Sequence, residues 1–203
     1  METGDYVKIS DRYFNDNPNL KEKLYNKEER RMYIGVVIKI SDQLNACVPF
    51  RTKAPNNNRV VEHGTFSIPS ETRPNACLDL TKTLIINNES YLSVLQKERV
   101  AIPTVQKAKI NENIDELDKM LKGYIKGYKK DYKESIRRPE KRRDPLYQFS
   151  TLQNYHKELG VIKEQEKPKE KSKQKVQDKQ EEQDIQRERA RRMAYMRQMG
   201  HER

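Results

Sequence analysis

The chain has 203 residues, a formal net charge of +11 and a pI near 9.5. Its length allows one ordinary domain with a tail, and because only 33% of the residues are hydrophobic while 36% are charged, we do not expect a core along the whole chain. The positive charge favours a polyanionic partner, with nucleic acid first and an anionic membrane second; a merely soluble basic protein is the plain alternative.

Neither a membrane span nor a secretory leader is indicated. No stretch approaches the roughly 20 apolar residues that span a bilayer, and the N-terminus lacks an apolar run of signal-peptide length. A cytoplasmic protein is therefore expected. Cys47 and Cys77 lie in apolar runs and should be buried, reduced thiols. Because they lack a CxxC spacing and the three histidines are scattered, no metal and no other cofactor is predicted.

Short strands are predicted along the first half of the chain. β-Branched residues and the alternation of apolar with polar residues predict strands at 6–9, 32–40, 43–50, 63–68, 78–86 and 99–102. The second and third should form a hairpin with its turn around Ser41 and Asp42. A short helix is expected at 19–27, after Pro18, and a loop at 51–59, where Pro and Asn accumulate.

Helical spacing replaces this pattern after residue 103. One apolar stripe consists of Ile110, Ile114, Leu117, Leu121, Tyr124 and Tyr128. The opposite face carries Lys119, Lys122, Lys126 and Lys130. A core helix with a solvated basic face is the simplest interpretation, and contact of those lysines with RNA is compatible with it. A basic loop is predicted at 137–145.

A last helix and a charged tail complete the chain. Ser150 and Gln153 have the spacing of a capping box, and Gly160 is a C-terminal stop. Residues 161–203 hold 13 Lys/Arg against 9 Asp/Glu and almost no large aliphatic residues, so they cannot form a core. We therefore predict a domain at 1–160 and a helical or disordered tail at 161–203, whose arginine-rich end is either solvated or binds RNA or a protein.

Polar and basic residues at the end of the third predicted strand fit RNA cleavage. Arg51, Thr52 and Lys53 stand where that strand meets an Asn-rich loop. RNA can be cut without a metal ion because its own 2′-OH is the nucleophile. Cationic donors can stabilise the phosphorane, and positioned hydroxyl or amine groups can move the protons. Taken alone, however, such a loop is usually just solvated.

Other features narrow the chemistry. Charged residues at 27–31 precede the central strand and include Arg31, although a charged helix end is the simpler explanation for them. The sequence contains no P-loop, GxGxxG, GxSxG, HExxH or EF-hand pattern. This argues against nucleotide hydrolysis, esterase chemistry and zinc proteolysis.

Several motifs, taken in order, resemble the toxins of type III toxin–antitoxin systems, the group of ToxN, AbiQ and TenpN. RMYIGVVIKI, at 31–40, is similar to the apolar central strand of these toxins, and NACVPFRTKAPNNN, at 45–58, to the hairpin and loop that follow it. Three further segments look like the TenpN branch: CLDLTKTLIIN at 77–87, LKGYI at 121–125 and FSTLQNYHKELG at 149–160. The resemblance covers roughly residues 5 to 160 and identifies the TenpN branch.

The resemblance implies a fold and an activity. The fold would be α+β: a compact, strongly bent antiparallel β-barrel like that of mRNA interferases, with added helices. The activity would be metal-independent cleavage of cellular or phage RNA, leaving a 2′,3′-cyclic phosphate and a 5′-hydroxyl and serving phage defence by abortive infection. The inhibitor would be an antitoxin RNA pseudoknot, processed by the toxin from a tandem-repeat transcript and bound in a cyclic toxin–RNA hetero-oligomer, without a membrane.

On this resemblance the candidate catalytic residues are Arg51, Thr52 and Lys53. The candidate RNA-binding residues are Lys27, Arg30, Arg31, Asn56 and Arg59. The order Arg-Thr-Lys-Ala differs from the Thr-Ser-Pro-Lys of ToxN, so the general base and acid stay unassigned. Two alternatives stay open: a nucleic-acid-binding regulator without catalysis, and an adaptor whose charged tail recruits a protein.

Overall fold

The computed structural model describes residues 1–24, 33–96 and 101–161. Lys27, Arg30 and Arg31 lie outside these ranges, as does the tail from residue 162 onward. The RNA-binding role of the three basic residues and the helical or disordered state of the tail therefore stay predictions.

Seven strands form one antiparallel sheet in the described residues. They are β1 (Tyr6–Ile9), β2 (Tyr33–Ser41), β3 (Leu44–Arg51), β4 (Thr65–Ser67), β5 (Cys77–Asp79), β6 (Leu84–Ile86) and β7 (Leu92–Val94). The sheet runs in the order β4-β5-β3-β2-β1-β7, and β6 also pairs with β3. The predicted strands at 6–9, 32–40 and 43–50 are confirmed in the described residues, with residue 32 outside them, and so is the hairpin, since β2 and β3 are antiparallel partners.

Strand β3 joins the two parts of the sheet because it has three partners. Residues 44–49 pair with β2 on one edge. On the other edge, residues 45–47 pair with β6, and residues 50 and 51 pair with β5. The end strands of the sheet are β4 and β7, so the sheet is open. An antiparallel sheet with added helices is confirmed, whereas the described strands do not form the closed barrel expected from the resemblance.

The strand predicted at 78–86 is interrupted by a buried aspartate. Asp79 accepts hydrogen bonds from the backbone N–H of Thr81 at 3.0 Å and from its hydroxyl at 2.6 Å. The carboxylate thereby caps a short 3₁₀ turn at Leu80–Lys82, which separates β5 from β6. The prediction of one continuous strand is wrong, because the pattern of apolar residues carries no information about a side-chain cap.

The first helix lies upstream of the predicted one. Helix α1 is Asp11–Asp16, and the helix predicted at 19–27 is wrong for residues 19–24. There the backbone N–H and carbonyl of Lys21 both bond the Asn154 side chain, each at 2.9 Å. Glu22 has φ +61°, in the left-handed region. Tertiary hydrogen bonds and this turn replace the helical ladder.

Helix α2 (Asn58–Gly64) begins inside the predicted loop 51–59. The Asn57 side chain accepts the Val60 N–H at 3.2 Å and so caps its first turn. The strand predicted at 63–68 is shortened by this helix to β4. The strand predicted at 99–102 is wrong for residues 101 and 102, which lie in irregular backbone, and residues 99 and 100 fall outside the described ranges.

The predicted helical stripe is confirmed, although it belongs to two helices. Helix α3 (Thr104–Glu112) and helix α4 (Ile114–Arg137) meet at Asn113, whose side chain donates to the Lys109 carbonyl at 2.8 Å. The buried face of α4 consists of Leu117, Leu121, Tyr124, Ile125 and Tyr128. Its exposed face carries Lys119, Lys122, Lys126 and Lys130. The core helix with a solvated basic face is thus confirmed.

The described chain ends in helix α5 (Pro145–Gln148) and a 3₁₀ turn at Thr151–Asn154. The Ser150 hydroxyl accepts the Leu152 N–H at 3.2 Å, as the capping pattern predicts. Gln153 instead donates to the Ser150 carbonyl at 3.0 Å, and the turn is 3₁₀ rather than α-helical. Gly160 has φ +62° but lies in a turn at residues 156–160, so the predicted helix ending at Gly160 is wrong.

Gly35 lets β2 lie close to β3 because it has no side chain. A Cβ at this position would collide with the Cys47 sulfur and the Val48 carbonyl, so we expect Gly35→Ala to lower the free energy of unfolding by about 1–3 kcal/mol. Gly123 is the matched control, because a Cβ added there would meet nothing within 4 Å. Gly123→Ala should raise helix stability by about 0.5–1 kcal/mol. Urea unfolding measures both, and a Gly35→Ala variant as stable as the wild type would contradict this account.

Candidate active-site loop

Arg51 is the last residue of β3 and not the first residue of a loop. Its Nη1 donates to Asp79 Oδ2 at 2.7 Å; the Arg51 side chain is 32% exposed, whereas Asp79 is fully buried. With the two bonds from Thr81, the buried carboxylate has three donors. A buried charge is tolerated only when it is paired and hydrogen-bonded. Arg51 therefore stabilises the fold while part of its side chain still reaches the surface.

Four polar residues between β3 and α2 are exposed: Thr52, Lys53, Asn56 and Asn57. The first three have no hydrogen bond or ion pair with another described residue. The backbone of this segment is nevertheless anchored, because the Ala54 N–H donates to the Asn75 carbonyl at 2.8 Å and Asn57 caps α2. Unpaired side chains on an anchored backbone are suited to contact a ligand.

Arg59, in the first turn of α2, forms a two-pronged ion pair with Asp144. Its Nε lies 2.9 Å from Oδ1, and its Nη2 lies 2.6 Å from Oδ2. Asp144 also caps α5 by accepting the Leu146 N–H at 2.9 Å. The hydrogen bond from Arg59 lowers the pKa of the Asp144 carboxyl below its ordinary value. Arg59 thus ties α2 to α5, and its side chain stays 55% exposed.

The predicted site residues divide into three sets. Arg51 and Arg59 are engaged in ion pairs at the two ends of the segment. Between them lie the unpaired residues Thr52, Lys53 and Asn56. The basic residues Lys27, Arg30 and Arg31 fall outside the described residues. The described segment therefore offers an amine, a hydroxyl and an amide next to a fixed guanidinium.

A second polar group, on α4 and the C-terminal segment, was missed in the sequence. The Tyr128 hydroxyl and His156 Nε2 are 2.7 Å apart, and the rings of Tyr132 and His156 are 4.0 Å apart. The Arg143 guanidinium lies 5.5 Å and 5.9 Å from the two tyrosine rings and donates to Asp131 at 2.8 Å. We name these five residues the His156 cluster. The four-residue spacing of the two tyrosines is its one sequence signal.

The His156 cluster keeps its imidazole uncharged. Burial, and secondarily the charge of Arg143, lowers the pKa of His156 from its ordinary value of 6.5. Burial raises the pKa of Tyr128 to about 12. At neutral pH the imidazole is therefore uncharged and the Tyr128 hydroxyl is protonated, and the tautomer of His156 sets which of the two donates the hydrogen bond. The hydrogen bond joins the C-terminal segment to α4.

Other reactive groups in the described residues are few. Cys47 and Cys77 are buried free thiols, as predicted, and burial raises the pKa of both, that of Cys77 to about 12. They are protonated near neutral pH and are poor nucleophiles. Within residues 1–24, 33–96 and 101–161, no group of three His, Cys, Asp or Glu side chains could hold a metal ion. No helix in the same ranges is long and apolar enough to cross a membrane.

Comparison with known proteins found one similar solved structure. No protein-family model matches the sequence, and no curated protein matches it. A solved structure from a study of bacterial type III toxin–antitoxin systems, concerning selective toxin inhibition by a non-coding RNA pseudoknot, is similar with a TM-score of 0.49 and 14% sequence identity. The match covers 61% of this chain and 78% of that one.

The Arg51–Asp79 pair predicts a loss of stability that is separate from catalysis. Arg51→Ala leaves a buried carboxylate without its cation, and we expect the free energy of unfolding to fall by about 3 kcal/mol. Asp79→Asn removes the charge but keeps an oxygen for Thr81, so the double variant should recover part of that loss. Urea unfolding of the two single variants and the double variant forms a double-mutant cycle. Strictly additive effects would show that the two residues are not coupled.

The lowered pKa of His156 predicts stability that depends on pH. Below pH 6.5 the unfolded chain binds a proton at this histidine more readily than the folded protein does, so stability should be complete above pH 6.5 and fall below it. His156→Gln should flatten this dependence. Thermal unfolding between about pH 5 and about pH 8 spans the titration. The same pH slope in His156→Gln as in the wild type would refute the assignment.

Proposed function

We propose that this chain is a metal-independent endoribonuclease, the toxin of a type III toxin–antitoxin system, with residues 1–160 as its catalytic unit. The observation that carries the proposal is the segment between β3 and α2. It presents the unpaired side chains of Thr52 and Lys53 on a backbone anchored by the Arg51–Asp79 ion pair and by Ala54. Electrostatic catalysis requires donors that are positioned before the reaction. The net charge of +11 favours an RNA substrate.

The proposed reaction is attack of an RNA 2′-oxygen on the adjacent phosphorus. The bond from phosphorus to the 2′-oxygen forms and the bond to the 5′-oxygen breaks, while a base takes the 2′-hydroxyl proton and an acid protonates the 5′-oxygen. The products are a 2′,3′-cyclic phosphate and a 5′-hydroxyl. Lys53 and the remaining N–H groups of Arg51 would stabilise the phosphorane. Thr52 would position or relay a proton at the 2′-oxygen.

Residues around the segment are proposed to hold the RNA. Arg59 keeps Asp144 with part of its guanidinium, and its exposed part is available to a phosphate. Asn56 is exposed and unpaired and can bond a phosphate or sugar oxygen. Upstream of β2 in the sequence, the proposal adds Lys27, Arg30 and Arg31, with Arg31 holding a phosphate.

An RNA inhibitor belongs to the same proposal and rests on the sequence resemblance. The antitoxin would be an RNA of pseudoknot repeats that forms a cyclic hetero-oligomer with the toxin in the cytoplasm. Cellular or phage RNA would be the substrate when the inhibitor is lost, and abortive infection would follow. The similar solved structure concerns a toxin inhibited selectively by such a pseudoknot.

Lys53→Ala is the decisive variant for this mechanism. Because the exposed Lys53 makes no hydrogen bond or ion pair with another described residue, its loss should leave the melting temperature unchanged and slow cleavage by roughly 100- to 1000-fold. Thr52→Ala should also slow cleavage. Lys21→Ala removes an exposed lysine from the segment after α1 and should cleave RNA at the wild-type rate.

The assay uses a matched pair of RNAs in EDTA, one with a 2′-deoxy substitution at the cut site. The wild type should cut the unmodified RNA, leave a 2′,3′-cyclic phosphate and spare the deoxy substrate. Cutting of the deoxy substrate, or full activity of Lys53→Ala, would overturn the mechanism. Tight RNA binding without any cleavage would favour the alternative of a nucleic-acid-binding regulator.

A further inference from the structure

A row of cations on α4 lies outside the proposed cleavage segment. At 100° per residue, five of them fall within a stripe about 100° wide on one side of the helix. These residues, which we name the basic face, are Lys126, Lys129, Lys130, Lys133 and Arg137. With Arg138 they line an open groove of about 700 Å³, whose lining includes one carboxylate, Glu134. The apolar residues of α4 face the core and turn the basic face to solvent.

The neighbouring carboxylates do not neutralise the basic face. Glu134 lies 2.8 Å from Lys141 and 4.0 Å from Arg138, and the charge of Lys130 acts on its carboxylate more weakly than either. Asp131 is occupied by Arg143 at 2.8 Å. The five residues of the basic face have no ion pair with any residue in the described ranges. Their charge is therefore available to a partner.

The spacing of these cations disfavours the isolated helix. Like charges four residues apart repel, and three such pairs occur here: Lys126 with Lys130, Lys129 with Lys133, and Lys133 with Arg137. A solvated helix face ordinarily alternates the sign of its charges. A polyanion bound along the basic face would relieve this repulsion.

We propose that the basic face binds the sugar–phosphate backbone of base-paired RNA. Lys126 and Arg137 are 11 residues apart, which is about 16 Å of helix and long enough to meet several successive phosphates of one strand. No aromatic ring lines the groove, whereas proteins that hold single strands stack bases on exposed aromatic residues. The apolar face of α4 is buried, so it is not free to enter a membrane. The choice of RNA over DNA rests on the proposed function.

The test measures binding of the full chain to an RNA duplex of about 16 base pairs over a range of salt concentrations. The variant Lys126→Gln/Lys130→Gln/Lys133→Gln removes three charges from the basic face. Its affinity should fall by roughly tenfold or more, and the slope of log affinity against log salt should become shallower by about 2 to 3. The control Lys8→Gln/Lys21→Gln/Lys109→Gln removes the same charge from β1, the segment after α1, and α3, and should keep the wild-type slope. Because repulsion is relieved, the first variant should melt at or above the wild-type temperature.

Each outcome decides between the proposals. An unchanged slope in the basic-face variant, or an equal loss in the control, would overturn this inference even if the wild type cuts RNA. Tighter binding to a single strand of the same length would also overturn this inference, if the basic-face variant loses that binding. The same holds for tighter binding to vesicles with anionic lipids. If the wild type cuts no RNA but the duplex binds through the basic face, the proposed cleavage fails and this inference stands.

Discussion

The buried carboxylate of Asp79 is the group around which the candidate site is built. Its two oxygens take the backbone and hydroxyl of Thr81 on one side and the guanidinium of Arg51 on the other. A charge inside the protein needs these donors. The cap ends β5, and the ion pair holds Arg51, the last residue of β3, beside it. Thr52 and Lys53 follow directly after Arg51, so the ion pair holds the start of their segment in place although neither residue bonds the carboxylate.

The turn capped by Asp79 also receives α2 and the C-terminal segment. A Cβ on Gly64 would lie 2.9 Å from the Thr81 side chain, so the end of α2 packs directly on the turn. The Thr151 hydroxyl donates to the carbonyls of Thr81 and Thr83 from the far end of the domain. Both ends of the segment between β3 and α2 are thus tied to one turn. This is how a surface segment with few bonds of its own acquires a fixed course.

Periodic burial made most of the fold predictable. The hairpin of β2 and β3 and the stripe of α4 follow from residues that recur on one face. The wrong predictions occur where a side-chain hydrogen bond, or a contact with a residue distant in sequence, determines where a strand or helix ends. The Asp79 cap splits a strand, and Asn154 takes the backbone of Lys21, which ends the predicted helix. Neither contact leaves a period in the sequence.

The residue types at the candidate site were predictable from the sequence, but the ion pairs that those residues form were not. A guanidinium, a hydroxyl and an amine in succession suggested phosphate chemistry at Arg51, Thr52 and Lys53. Whether a basic residue is free depends on its partner. That partner is 28 residues away for Arg51 and 85 residues away for Arg59. The His156 cluster likewise joins residues from α4, the loop before α5 and the C-terminal segment, which no local pattern connects.

These long separations have a consequence during protein synthesis. The hairpin needs only neighbouring residues, but Arg59 meets Asp144 and Thr81 meets Thr151 only after most of the domain has been made. At about 5–20 residues per second, a ribosome takes several seconds to cover that interval. For the proposed nuclease, the loop that carries Lys53 would leave the ribosome long before its last supports exist. A nascent chain would therefore have no finished catalytic site until residues 144 to 151 have been synthesised.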